Sequence, residues 1–130
     1  QRAENAALYN RLFTDSGLVA DGKVQLPVNV FAEKAGNGKT ERNVHIYNQY
    51  ILRVEKRDDL RQWLSANDIG CEIYYPVPLH KQECLGSLAK GAHCPEAEMA
   101  ADVTLALPIY PELTSDMQTY IVEKIVQFYR

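Results

Sequence analysis

The stretch that most constrains what this chain can fold into is residues 70–80, GCEIYYPVPLH. Cys71 to Tyr75 are mostly small, β-branched or aromatic, as a pleated strand prefers. Pro76 and Pro78 have no backbone N–H to donate, so a ladder running through this stretch must stop there. Each proline also holds the residue before it extended. The expectation is a strand that leaves its sheet stiffly and sets Tyr74, Tyr75 and His80 at the rim. Rigidly supported loops at strand ends are where sites are commonly built.

Around this stretch the hydrophobic spacing predicts the order α, β, β, α, β, α, α, an α+β two-layer domain. A first helix is expected over about Arg2 to Phe13, with Ala3, Ala7, Leu8 and Leu12 able to share an apolar stripe. Lys23 to Phe31 alternates as a strand, and Pro27 marks it as an edge. Residues 32–43 are polar, with Asn37-Gly38 placed for a hairpin turn. Residues 44–54 form the clearest strand. Val44, Ile46, Tyr50, Leu52 and Val54 face one way, interrupted only by Asn48, which must find a hydrogen-bond partner or line a cavity. A helix from Asp58 or Arg57 to about Asn67 carries Leu60, Trp63 and Leu64 at helical spacing. Pro95 opens a third helix, expected to reach about Leu105, with Glu96 and Glu98 at its positive end. The last helix starts at Thr114 or Ser115, where Ser115 and Gln118 have capping-box spacing. Its stripe is Tyr120, Ile121, Ile125, Phe128 and Tyr129, widened by Val122 and Val126.

At 130 residues the chain is expected to be a single domain over residues 1–130. Apolar residues make up 46% and charged residues 24%, which excludes a disordered chain. The formal net charge is −3 and no block of Lys or Arg stands out, which argues against nucleic acid and anionic membranes as partners. No apolar run reaches the roughly 20 residues of a membrane span, and no secretory signal is seen. Three cysteines do not make a disulfide framework and point to the cytoplasm. The sequence opens directly in helical residues and its first methionine is Met99, which is expected of a trimmed product or a domain cut from a longer protein.

Several constellations invite chemistry. AGNGKT (35–40) has the tail of a phosphate-binding loop, but the first glycine of that motif would fall at position 33, which is Glu33. A hairpin turn is the better reading. His80, Cys84, His93 and Cys94 are soft metal ligands within 15 residues, yet H-x3-C-x8-H-C lacks the knuckle spacing of a zinc site. A cysteine nucleophile lacks an evident orienting third group. That leaves His80, Tyr75, Tyr74 and Asn48 as candidate binding residues.

Taken together, RAENAALYNRL (2–12), HIYNQYILRV (45–54), RDDLRQWLSANDIGCEIYYPVPLHKQEC (57–84), CPEAEMAADVTLALPIYPELT (94–114) and the final helix resemble the C-terminal small domain of the DegT/DnrJ/StrS family, pyridoxal-phosphate-dependent sugar aminotransferases of fold type I. The resemblance covers nearly the whole chain, and YYPVPLH and LALPIYPELT are its most specific strings. It implies a small antiparallel or mixed sheet of three to four strands with helices packed on one face. It also implies that the large pyridoxal-phosphate domain, with its Schiff-base lysine, is not in this chain. The seven lysines (23, 34, 39, 56, 81, 90, 124) lie in small-domain sequence or variable loops. By this resemblance the isolated chain is not catalytic and binds no cofactor alone. It helps bind substrate and close the site, with His80 and Tyr75 facing a keto-sugar nucleotide and Tyr74 and Asn48 beside them. Glutamate is the implied amino donor. The implied partner is the large domain or a second subunit of a homodimer, which predicts an exposed apolar face. The alternative is a standalone, non-catalytic module that binds a small ligand or self-associates.

Overall fold

A computed structural model describes residues 1–29 and 45–130. Its helices are α1 (Arg2–Asp15), α2 (Arg57–Ala66), α3 (Pro95–Val103) and α4 (Ser115–Tyr129). Its strands are β1 (Val24–Gln25), β2 (Tyr50–Val54) and β3 (Thr104–Leu107). The sheet is antiparallel in the order β1-β2-β3, with Val24 opposite Val54, and Tyr50, Ile51, Leu52 and Arg53 opposite Leu107, Ala106, Leu105 and Thr104. The α+β class expected from the sequence holds, with three paired strands among the described residues.

The register puts Val24, Tyr50, Leu52, Val54, Leu105 and Leu107 on one face, and all six are buried. Helices α1, α2 and α4 cover that face with Tyr9, Phe13, Leu60, Leu64, Ile121 and Ile125. Fully burying one such side chain stabilises the fold by about 1.5–3 kcal/mol. Tyr9 stacks on Tyr50 with ring centroids 4.9 Å apart. Their hydroxyls donate to Pro108 O and to Asn10 Oδ1, so neither polar tip is stranded in the core. The third helix adds nothing to this cluster. It lies against β2, where Met99, Asp102 and Val103 share a cleft with Gln25 and Arg53 of the outer face.

Several expectations are corrected. On α1 the buried stripe is Ala6, Tyr9 and Phe13, while Ala3 and Ala7 are exposed. Two aromatic rings four residues apart bury far more area than the alanines, and they set the helix rotation. The first strand pairs only at Val24–Gln25, ending two residues before Pro27, and Val28 is 76% exposed. The long strand expected over 44–54 pairs only from Tyr50. Before it, Tyr47 turns into the left-handed region (φ 47°) and His45 Nδ1 accepts from its N–H at 3.0 Å. Asn48 therefore sits exposed in a turn and does not interrupt a core-facing strand. The hairpin expected at Asn37-Gly38, and AGNGKT, lie outside the described residues.

The expected 70–75 strand makes one bridge, in which Glu72 and Ala106 exchange both backbone hydrogen bonds. Helix α3 ends at Val103, short of the expected Leu105, because VTLAL turns into β3. All four residues of β3 are buried, being flanked by β2 and by the Glu72 bridge. Helix α4 is capped by Thr114, whose Oγ1 accepts from Met117 N–H at 3.3 Å. Gln118 is not a capping residue. It is fully buried, and its Nε2 donates to Asn5 O across the α1–α4 seam at 2.8 Å. Tyr120 is exposed, and the buried stripe of α4 is Gln118, Ile121, Val122 and Ile125.

Candidate functional site

Where β2 and β3 meet the 70–75 segment, the sheet end leaves a cleft of about 390 Å3. The turn before β2 contributes Asn48 and Gln49, the bridged segment contributes Gly70, Cys71, Glu72 and Tyr74, and residues 106–109 form the floor. Pro108 ends β3 and the Glu72 bridge holds the opposite wall, so the cleft is built on paired backbone. Its polar groups are two side-chain amides, one carboxylate, a phenol and a thiol. Burial pushes the Cys71 thiol up; Arg61 opposes this and Glu72 adds to it. No lysine or arginine lines the cleft. Such a surface suits neutral hydroxyl or amide groups and disfavours a phosphate or carboxylate.

The structure divides the four candidate residues. Asn48 and Tyr74 share this cleft. The Tyr74–Tyr75 peptide is cis, and the two rings stand edge to face with centroids 6.2 Å apart. Tyr75 is 73% exposed and does not line the cleft. His80 faces α3. After Pro78 the chain turns through short 3-10 helices at Leu79–Lys81 and Glu83–Leu85, and this brings His80 Nε2 to 3.0 Å from Glu98 Oε1. Lys81 Nζ donates to Glu98 Oε2 at 2.6 Å, and His93 Nδ1 lies 4.0 Å from Oε1. The hydrogen bonds from Lys81 and then His80 hold the Glu98 carboxyl down to about 2.

Sequence reasoning missed Gln49, Glu72 and Glu98. Gln49 and Glu72 are next to residues that were singled out, but only the paired backbone shows which side they face. Glu98 reads in sequence as a favourable charge in the first turn of a helix. Its partners sit 17 and 18 residues earlier, a separation no local pattern reports.

This cleft does not fit pyridoxal phosphate. The cleft offers no amine to form an imine and no cation for a phosphate. Lys23 is paired with Glu55 at 2.7 Å and Lys81 with Glu98, while Lys124 donates to Gln127 at 3.3 Å. Lys56 and Lys90 are exposed.

Residues 1–126 match the family described as the DegT/DnrJ/EryC1/StrS aminotransferase family. The chain belongs to that family. A protein of Geobacillus stearothermophilus named pleiotropic regulatory protein is 40% identical over 131 residues, covering 100% of this chain and 32% of its own length. The UDP-N-acetyl-3-dehydro-alpha-D-glucosamine 3-aminotransferase of Acidithiobacillus ferrooxidans is 38% identical over 72 residues, 55% of this chain and 19% of that protein. Among solved structures, S. venezuelae DesV in complex with a ketimine intermediate superposes with a TM-score of 0.74 at 26% identity, over 98% of this chain and 31% of DesV. The chain thus spans about a third or less of these family members.

Proposed function

We propose that this chain is the C-terminal small domain of a pyridoxal-phosphate-dependent sugar-nucleotide aminotransferase of the family. It forms part of the substrate-site wall and docks on a large domain that carries the cofactor lysine. The observation that carries the reading is a family match along 126 residues, in a chain that spans about a third of the length of the Geobacillus stearothermophilus relative. An outward-facing apolar segment supports the docking role: Tyr75, Val77, Leu79 and Leu88 are all exposed, Leu79 at 68% and Leu88 at 84%.

In this reading the chain binds and orients; it does not carry the imine. Asn48, Gln49 and the Tyr74 hydroxyl offer neutral hydrogen bonds to sugar hydroxyls, which position a keto-sugar nucleotide for reaction elsewhere. Tyr75, and His80 through the segment that carries it, border the docking surface. Glutamate is the proposed amino donor, the assembled enzyme a cytoplasmic homodimer, and the isolated chain inactive. No helix among the described residues is long and apolar enough to cross a membrane.

The test is association. The 130-residue chain is titrated against a large-domain fragment of the Geobacillus stearothermophilus relative, and complex formation is followed by sedimentation. Saturable binding that weakens at least tenfold in Leu79→Asp is expected. No binding at any accessible concentration, with the chain a non-sticky monomer, would overturn the docking role and favour a standalone binding module.

A further inference from the structure

The segment between the bridged strand and α3, residues 74–93, is joined to the body in an unusual way. Every backbone hydrogen bond among its described residues closes locally: Lys81 to Pro78, Gln82 to Leu79, Leu85 to Gln82, Gly86 to Glu83, Leu88 and Ala89 to Leu85, Ala92 to Ala89. None of its side chains packs on the hydrophobic core. Its side-chain polar links to the rest of the described structure all end on one group, the Glu98 carboxylate. Oε1 takes His80 and faces His93; Oε2 takes Lys81. Glu98 is well seated for this. It lies one turn into α3, and the far end of α3 is pinned by Arg57, whose Nη1 donates to Ala101 O at 2.8 Å and Thr104 O at 3.0 Å. Isolated surface ion pairs hold little. Here one carboxylate uses both oxygens in charge-assisted bonds, and the His80 side chain is only 11% exposed.

We infer that Glu98 is a positioning residue: its carboxylate clasps the 74–93 segment to α3 and so presets how Tyr75, Val77 and Leu79 are presented. This rests on the reading above that the segment is a docking surface. The clasp also decides which nitrogen His80 can use. With Nε2–H donated to Glu98, a neutral His80 has Nδ1 left as an acceptor, so it takes a hydrogen bond from a hydroxyl or ammonium group and offers none to a carboxylate. A segment ordered in advance lowers the entropy lost on docking.

The test uses the 130-residue chain and its Glu98→Gln and Glu98→Leu variants, with 15N relaxation of residues 79–92 and the 15N shifts of the His80 ring. In the wild type, order parameters near those of rigid backbone, about 0.85, are expected, with His80 as the Nε2–H tautomer. In both variants the segment falls below about 0.6 while α1 and α4 are unchanged, and the tautomer preference of His80 relaxes. Variants as ordered as the wild type, or a wild-type segment already below 0.6, would overturn the clasp. The large-domain titration separates the two ideas. Loosening in the variants without any wild-type docking removes the functional reading and leaves the clasp; wild-type docking with no loosening removes the clasp alone.

Discussion

Glu98 is the residue whose environment departs furthest from its sequence reading. Its carboxyl is held from an ordinary 4.5 down to about 2, first by Lys81 and then by His80. A depressed carboxyl stabilises the fold above its unfolded value and loses that contribution as pH falls through the folded one. The stability difference between wild type and Glu98→Gln should therefore be largest at neutral pH and close between about pH 4.5 and pH 2, as read from thermal midpoints. Salt should shrink it, since the group is reachable by solvent. A difference independent of pH would mean that the carboxylate charge is not what the bonds use. At this same scale Tyr74, Tyr75 and His80 stood out in the sequence by their place around two prolines, and Asn48 by its polarity within an apparent strand. Their division between a cleft and a clasp was not legible there, because it depends on a bridge at Glu72 and on a helix 18 residues beyond His80.

Elements with one buried face were the easiest to read. The alternation at Tyr50, Leu52 and Val54 and the helical spacing of Leu60 and Leu64 both match the burial found. The third strand was missed for a physical reason. A strand buried on both faces shows no period, and Thr104 to Leu107 continues a helical run without a breaker. The 45–49 stretch failed the opposite way: alternation was present, but Tyr47 turns into the left-handed region and pairing begins only at Tyr50. Because β3 is the buried strand on which the cleft floor rests, Leu105→Ala should cost about 2–5 kcal/mol in chemical denaturation, the range for a fully buried leucine. A cost below about 1 kcal/mol would show that β3 is not part of the cooperative core.

The molecule as a whole pairs a conventional core with a surface that is only partly self-contained. The α1–α2–α4 layer over the sheet accounts for stability, while the exposed apolar residues from Tyr75 to Leu88 have no cover among the described residues. Fold and family were legible because the resemblance runs along nearly the entire chain; the activity is not carried by any one motif within it. The central claim is that these residues form a wall and docking face for chemistry held on other polypeptide. The most direct measurement is turnover. The 130-residue chain, supplied with pyridoxal phosphate, glutamate and a keto-sugar nucleotide, is assayed for amino sugar alone and then joined to a large domain of the family. The account predicts no product from the chain alone and product from the joined protein. Amino sugar formed by the 130 residues alone would contradict it.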